Sequence, residues 1–466
     1  MNLSRVNNLF VKILKYREGL LIYVFVNIYL LSIIPFSWLY YDVRYYYEWV
    51  DIAWSSGFTI HIWKIPGYGL TTIVFPKGLL YIYMNATKAS YPPLPILLFI
   101  TTHSIVSSFT NSLQLIRLID KLPLVIVFNI VYFVLKKNYG WKTSLLWILN
   151  GFTYLTIHTY HTDLFISLFL LMSFIEFFRR NNVVKSSIYL ALASLFKPIV
   201  LILAFVLLII MFKRRLFREI VLFTLCGLIT GLIVILPFLL VDYRCFMYKA
   251  LFFHMDRFPQ EYSLWAIPIY LYNYDFSKIP DIIKYLWFPT YLSALIYLFS
   301  RLIRERDLSE KNIVKYYLLT LLFTYLLNKI GNLNYFVWCV PFLAIYVVEN
   351  KFYTNHRFIL LYLFIPLILV VIAPFTTFYS AFIVHGSVFI IEDLSYYSAT
   401  ELTIKSIDPS TIQIIIADYL RTNVYWYFLL LYMGINVSYI IFSAIYNSYL
   451  IYLIITVFKK RGFKWI

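Results

Sequence analysis

The sequence predicts an all-α polytopic transmembrane helical protein of about eleven to thirteen membrane helices with large outer-face loops. Three observations predict it. Apolar runs of about eighteen residues or more recur along the 466-residue chain, the length a helix needs to cross a bilayer. Hydrophobic residues make up 62% and charged residues only 13%, with a mean hydropathy of +0.78, where a soluble domain carries about 25% charge. The formal net charge of +18 is gathered into short clusters between apolar runs, such as Lys136 and Lys137, Arg179 and Arg180, and Lys213, Arg214 and Arg215. That spacing is the positive-inside pattern of cytoplasmic loops, and it argues against a nucleic-acid surface. A β-barrel would show short alternating segments instead.

With the clusters as cytoplasmic markers, the spans can be threaded. The first runs over about residues 20–41 and leaves the cytoplasm. A first outer loop covers 42–91. The apolar run 92–109 lies at the interface or re-enters, because a full crossing would place Lys136 and Lys137 outside; 119–135 then returns. Residues 143–160 and 164–178 form a hairpin with the outer turn HTYHTD. The run 187–212 is bounded by Lys185 and Lys213, and its roughly 26 residues are too few for two full spans. It is expected to be two short helices broken at Lys197-Pro198, since proline lacks the backbone donor a helix interior needs. Broken helices are tolerated in membranes where they line a polar cavity.

A span over about 220–240 leads to a second outer loop, 241–284. Further spans follow at about 285–300, 314–329, 335–348 and 358–378. A third outer loop, 379–423, precedes one or two closing helices. This threading puts 25 Lys/Arg against 6 Asp/Glu on the cytoplasmic side and 11 against 13 in the outer loops. One membrane-embedded domain, 1–466, is expected, with both termini cytoplasmic in a plasma membrane, or in the endoplasmic reticulum of a eukaryote. Cys226, Cys245 and Cys339 form no disulfide framework.

Charges at the membrane face are costly and are candidates for function. Asp42 follows the first span in YYDVRYYYEWV, where a carboxylate can act as general base toward a hydroxyl. Arg44 can tune it or meet substrate, and Glu48 falls on the next turn of a loop helix; a helix cap or solvated loop acid is the bland alternative for Asp42. Asp163 sits in HTYHTD with His158 and His161 as a polar rim. The turn has one carboxylate, too few for a metal site, and no metal or cofactor is expected.

Lys197 lies beside the helix break, where an ammonium can hold a lipid phosphate; a snorkelling lysine is the alternative. Arg257, with His254 nearby, can clamp phosphate through its planar fork, or the segment 252–265 is an interfacial helix. Asn334 and Tyr335, in NLNYFVWCVPF, suit hydroxyl recognition or ordinary turn chemistry. The chain has no Walker A loop, dinucleotide fingerprint or nucleophile elbow.

With these residues in hand, the chain resembles the GT-C superfamily of polytopic glycosyltransferases. Asp42 looks like that superfamily's first-loop acid. SYPPLP (90–95) resembles the Tyr-Pro-Pro-Leu element closing the loop, and HTDLFISLFLLMSFIEFFRR leading to LALASLFKP is similar to a stretch of family 87 mannosyltransferases. NLNYFVWCVPFL resembles a segment of the first mannosyltransferase of GPI-anchor synthesis. The likeness covers about 42–343. It departs in lacking an Asp-x-Asp in the first loop and in carrying the insert-like IHIWKIPGYGLTTIVF.

The resemblance implies an inverting hexosyltransferase, a mannosyltransferase by its nearest motifs, that works on the extracytoplasmic face. Its donor would be a polyprenyl or dolichyl phosphate sugar in the lipid bilayer, and its acceptor a glycan or lipid-linked acceptor. Asp42 would be catalytic, with Lys197, Arg257, Asp163, His254, Asn334, Tyr335, Arg44 and Glu48 binding substrate. The alternative is a lipid-linked oligosaccharide flippase or polar-solute transporter.

Overall fold

The structure is a computed structural model, and it describes residues 16–36, 43–55, 58–65, 69–75, 77–86, 89–272, 278–385, 387–391, 399–403 and 435–459. It is a helical, polytopic membrane protein. Among the described residues four helices are long and apolar enough to cross a bilayer: Gln114–Tyr139, Phe217–Met255, Ile283–Arg304 and Tyr439–Phe458. Six shorter apolar helices accompany them.

In chain order the main helices are α1 (Tyr16–Ile33), α2 (Val43–Ser55), α3 (Pro93–Ser107), α4 (Leu113–Tyr139), α5 (Trp141–Ile148), α6 (Gly151–His158), α7 (Asp163–Phe178), α8 (Val183–Ser194), α9 (Ile202–Lys213), α10 (Phe217–Met247), α11 (Ile283–Arg304), α12 (Glu310–Leu327), α13 (Val340–Glu349), α14 (His356–His385) and α15 (Ile435–Lys459). The chain forms two compact units. One comprises 1–28, 132–156 and 258–466, and the other 29–131 and 157–257.

In the first unit the core is aromatic. Phe336 packs on Phe152 at 4.8 Å and on Tyr449 at 5.7 Å, and Trp338 on Tyr325 at 5.5 Å. Such ring pairs add about 0.5–1.5 kcal/mol each beyond their burial. Buried polar groups are tied to the backbone: Tyr362 donates to the Leu146 carbonyl at 2.7 Å, and Asn447 to that of Tyr262 at 2.9 Å. A parallel bridge pairs β3 (Gln260–Glu261) with β4 (Ile330–Gly331). Gly331 is obligatory there, because a Cβ would lie 2.0 Å from the Ser263 amide nitrogen.

The second unit is built on α7, α8 and α10. Ser173 and Ser186 pair through their hydroxyls at 3.0 Å between α7 and α8, and Ser187 donates to the Phe223 carbonyl of α10. Gly227 admits this approach, since a Cβ would stand 2.8 Å from the Ser187 hydroxyl.

Several local features depart from the threading. The expected span 143–160 is two short helices, α5 and α6, that meet at 149–150. The insert-like stretch of the first loop is an antiparallel hairpin, β1 (Phe58–Ile65) with β2 (Gly69–Phe75), from the alternation of IHIWKI. A second hairpin pairs β5 (Ser387–Ile391) with β6 (Ala399–Thr403); most of the third outer loop lies outside the described residues.

The helix beginning at Phe217 runs past the expected end of its span to Met247, with a break at Asp242 (φ −155°, ψ 96°). There the Asp242 carboxylate accepts from the Arg244 and Cys245 amides at 2.9 and 3.0 Å, so it caps a new helical start.

Candidate functional site

The expected break at Lys197-Pro198 is present. α8 ends at Ser194, and a short 3₁₀ turn over Pro198–Leu201 leads into α9. Lys197 is extended, with φ −150° and ψ 116°, the region a following proline imposes on its neighbour. The extended backbone directs the side chain toward the start of α7, where Nζ donates to both carboxylate oxygens of Asp163, at 3.0 and 3.3 Å. Phe196 fixes the approach by stacking on Phe165 at 5.2 Å.

Asp163 is the first residue of α7, where the helix dipole favours a negative charge. Tyr160, at φ +53°, makes the reversal from α6 into that start. His161 sets Nδ1 4.0 Å from the second carboxylate oxygen of Asp163. The pair is nearly dry: the side chains of Asp163 and Lys197 are 1% and 13% exposed.

Asp163 and Lys197 open on a small cleft walled by aromatic rings: Tyr46 and Trp49 of α2, Tyr91, Phe99 of α3, and Tyr160. Tyr46 is central, 4.8 Å from Trp49, 5.1 Å from Phe99 and 5.7 Å from Tyr160. A charged pair beside flat apolar faces suits a ligand with an anionic head and a sugar ring.

Asp42 lies outside the described residues; it immediately precedes α2 in sequence. Arg44 lies in the first turn of α2, and Glu48 is half-buried one turn later. His254 donates through Nε2 to the Ser90 carbonyl at 2.8 Å, and Lys249 to that of Ala86 at 2.6 Å. These bonds tie the segment after α10 to the one containing SYPPLP. Arg257 sits over the Phe253 ring at 5.4 Å, half-buried.

Asn334 and Tyr335 belong to the other unit. Asn334 is buried, and its backbone N–H donates to the Asn332 side-chain oxygen at 2.9 Å, the turn chemistry weighed from sequence. Tyr335 stacks on Trp338 at 5.0 Å. The structure thus joins Asp163 to Lys197 in the cleft, with α2 as one wall. Among the described residues no three metal-ligating side chains converge.

Sequence reasoning missed two things. One is the part of the aromatic wall made by Trp49 and Tyr91; the tyrosines around Asp42, Tyr46 among them, are legible from sequence as faces for a sugar or braces of the loop. The other is a buried pair behind it, His103 of α3 with Asp120 of α4, Nδ1 to Oδ2 at 2.8 Å. The sequence does carry a signal for Asp120: Asp120 and Lys121 sit at the head of an apolar run, where ionisable residues are rare.

No protein-family model and no curated protein matches the chain. Two solved structures of ArnT from Cupriavidus metallidurans are similar in fold at low identity. The apo form is 13% identical, with a TM-score of 0.38 over 79% of this chain and 67% of that one. The form bound to undecaprenyl phosphate is 12% identical, with a TM-score of 0.44 over 95% and 77%. Neither likeness bears on the chemistry of the cleft.

Proposed function

We propose that the protein is an inverting glycosyltransferase of the GT-C kind, moving a hexose from a polyprenyl-phosphate donor to a glycan or lipid-linked acceptor on the extracytoplasmic side. The observation that carries this reading is the Lys197–Asp163 pair at the helix break, set in an aromatic cleft whose wall is the helix that follows Asp42. The order of the sequence motifs supports the same class. Mannose is the sugar and dolichyl phosphate the carrier that the resemblance favours.

In this mechanism Asp42 accepts the proton of an acceptor hydroxyl. The oxygen attacks the anomeric carbon as the bond from that carbon to the phosphate oxygen breaks, and the electron pair leaves with the lipid phosphate. A single displacement inverts the configuration. Lys197 meets the charge that grows on the leaving phosphate. Asp163 keeps the ammonium charged and aimed before substrate arrives, and Arg257 is the second cation. Tyr46 and Trp49 offer faces for the sugar ring. The chemistry calls for no nucleotide, in keeping with the missing nucleotide motifs.

The test uses purified protein with a polyprenyl-phosphate hexose and a lipid-linked acceptor. Product forms with the wild type, is lost with Asp42→Asn, and falls with Lys197→Met through weaker donor binding. Full activity of Asp42→Asn removes Asp42 as base. Substrate flux into liposomes without covalent product would favour the transporter reading.

A further inference from the structure

The segment that follows α10 grips the end of the first outer loop, and the proposed reaction gives that grip no task. Tyr248–Phe252 is a π turn, and Phe253–Asp256 resumes the α-helix. A turn bonded from i to i+5 takes more residues than an α-turn, so it draws residues five apart toward one face. A regular α-helix would leave them about 140° apart. Lys249 and His254 are such a pair, and both reach the same stretch of chain. Nζ of Lys249 donates to the Ala86 carbonyl at 2.6 Å and lies 3.4 Å from that of Met84, at the C-terminus of the short helix Ile82–Asn85. A cation is favoured at that end of a helix. Four residues on, the Ser90 carbonyl accepts from Nε2 of His254 at 2.8 Å. Tyr83 supports the grip. Its ring packs on Phe246 at 4.8 Å and on Phe238 at 5.4 Å, and its hydroxyl donates to the Tyr91 carbonyl at 2.8 Å.

The chain just beyond Ser90 is stiff. Pro92, at φ −58° and ψ 170°, is followed by Pro93, where α3 begins. Each proline ring fixes its own φ, and each bars the α region to the residue before it, Tyr91 among them. Tyr91, Pro95 and Phe99 line the cleft beside Asp163 and Lys197, and Trp49 meets the Tyr91 ring edge-on at 6.0 Å. A displacement at Ser90 is therefore passed to three cleft residues, with little slack between to absorb it.

We propose that Lys249 and His254 are positioning residues: brought toward one face by the π turn, they latch the end of the first loop, and Pro92-Pro93 carries that placement into Tyr91 and the head of α3. The latch rests on the glycosyltransfer reading only for what the cleft holds. It gives SYPPLP a physical task, that of a rigid coupler between the latch and the cleft wall. The Nε2 proton of His254 is committed to Ser90 rather than to substrate.

The experiment is amide hydrogen exchange of the full chain in nanodiscs, followed over 83–91 and 96–100, with α7 and α8 as the reference for global stability. Lys249→Met and His254→Leu each speed exchange over 83–91 by about tenfold, the size of one lost side-chain hydrogen bond, and 96–100 follows while α7 and α8 keep their protection. Lys249→Arg and His254→Gln, which keep a donor, stay within about threefold of the wild type. Unchanged exchange in the Met and Leu variants, a loss shared equally by α7 and α8, a change over 83–91 that does not reach 96–100, or His254→Gln as fast as His254→Leu overturns the proposal. A second arm measures the affinity for a polyprenyl phosphate. A latch that acts through Tyr91 makes the losses of His254→Leu and Tyr91→Ala less than additive in the double variant, and fully additive losses overturn it. If the wild type binds no polyprenyl phosphate, the glycosyltransfer reading falls and the exchange arm alone decides the latch.

Discussion

Removing either partner of the Lys197–Asp163 pair should damage the protein unequally, because the two charges are buried unequally. At 3.0 Å their attraction is about 5–6 kcal/mol at an effective dielectric constant of 20, before desolvation is subtracted. Lys197→Met strands a carboxylate that is 1% exposed, with the His161 ring 4.0 Å away. An uncompensated buried charge costs about 3–5 kcal/mol. Asp163→Asn strands an ammonium that is 13% exposed and can turn into the cleft; its cost should be nearer 1–3 kcal/mol, roughly that of lost hydrogen bonds to a charged group. The double variant should cost less than the sum of the singles by about 2 kcal/mol. Reversible unfolding in mixed micelles, followed by tryptophan fluorescence, measures all three. Equal losses in the two singles, or additivity within about 0.5 kcal/mol, would refute the reasoning.

Pro198→Ala removes the steric bar that holds Lys197 extended, and should cost about 0.4–1 kcal/mol because the unfolded chain gains freedom. The signature is a slightly lower melting temperature with lower donor affinity, and unchanged affinity would show that the break does not serve Lys197. Gly78→Ala places a Cβ 1.9 Å from the Ile52 carbonyl oxygen of α2; a thermal shift assay should show a loss of about 1–3 kcal/mol, and α2 amides should lose protection.

Outside the spans, burial raises the Glu305 pKa, but hydrogen bonds from Asn312, Tyr316 and the amides of Asp307 and Arg306 outweigh it and leave the pKa lowered. A depressed carboxyl pKa gives stability that is present above the unfolded value and lost as pH falls through the folded one. Glu305→Gln should flatten the acid limb of the melting-temperature profile by lowering the neutral plateau, leaving the acid end little changed.

How much of this was legible depended on whether the cause was local. Pro198 dictates its neighbour's backbone, so the break and the extended Lys197 could be read directly. The clusters at Lys213 and Arg301 end α9 and α11 where the charge pattern put them. The junction of α5 and α6 has a weaker local signal, Asn150-Gly151, where the Asn150 side chain accepts from the Phe152 amide at 3.1 Å. What requires the glycine is distant: a Cβ there would stand 3.1 Å from the Pro366 backbone, more than two hundred residues away.

The site followed the same division. Lys197 and Asp163 each stood out as charges in apolar surroundings, but their pairing spans 34 residues and depends on the fold of α7 and α8. His103 and Asp120 are 17 residues apart on different helices, and nothing in either segment names its partner. Tyr46 and Tyr47 are adjacent in sequence yet take different duties, one lining the cleft and one covering the histidine.

The break at Asp242 also sets a length. Past the charged Arg218 and Glu219, the apolar stretch from Ile220 to Val241 has about 22 residues, roughly 33 Å at 1.5 Å each, against a hydrocarbon core of about 30 Å. Among the described residues only 6% of its most apolar window is buried, so most of it is left for acyl chains. A tilt of about 25° absorbs the small excess in an average bilayer. The rod therefore fits an average bilayer with a modest lean, and a slightly thicker sheet would let it stand upright.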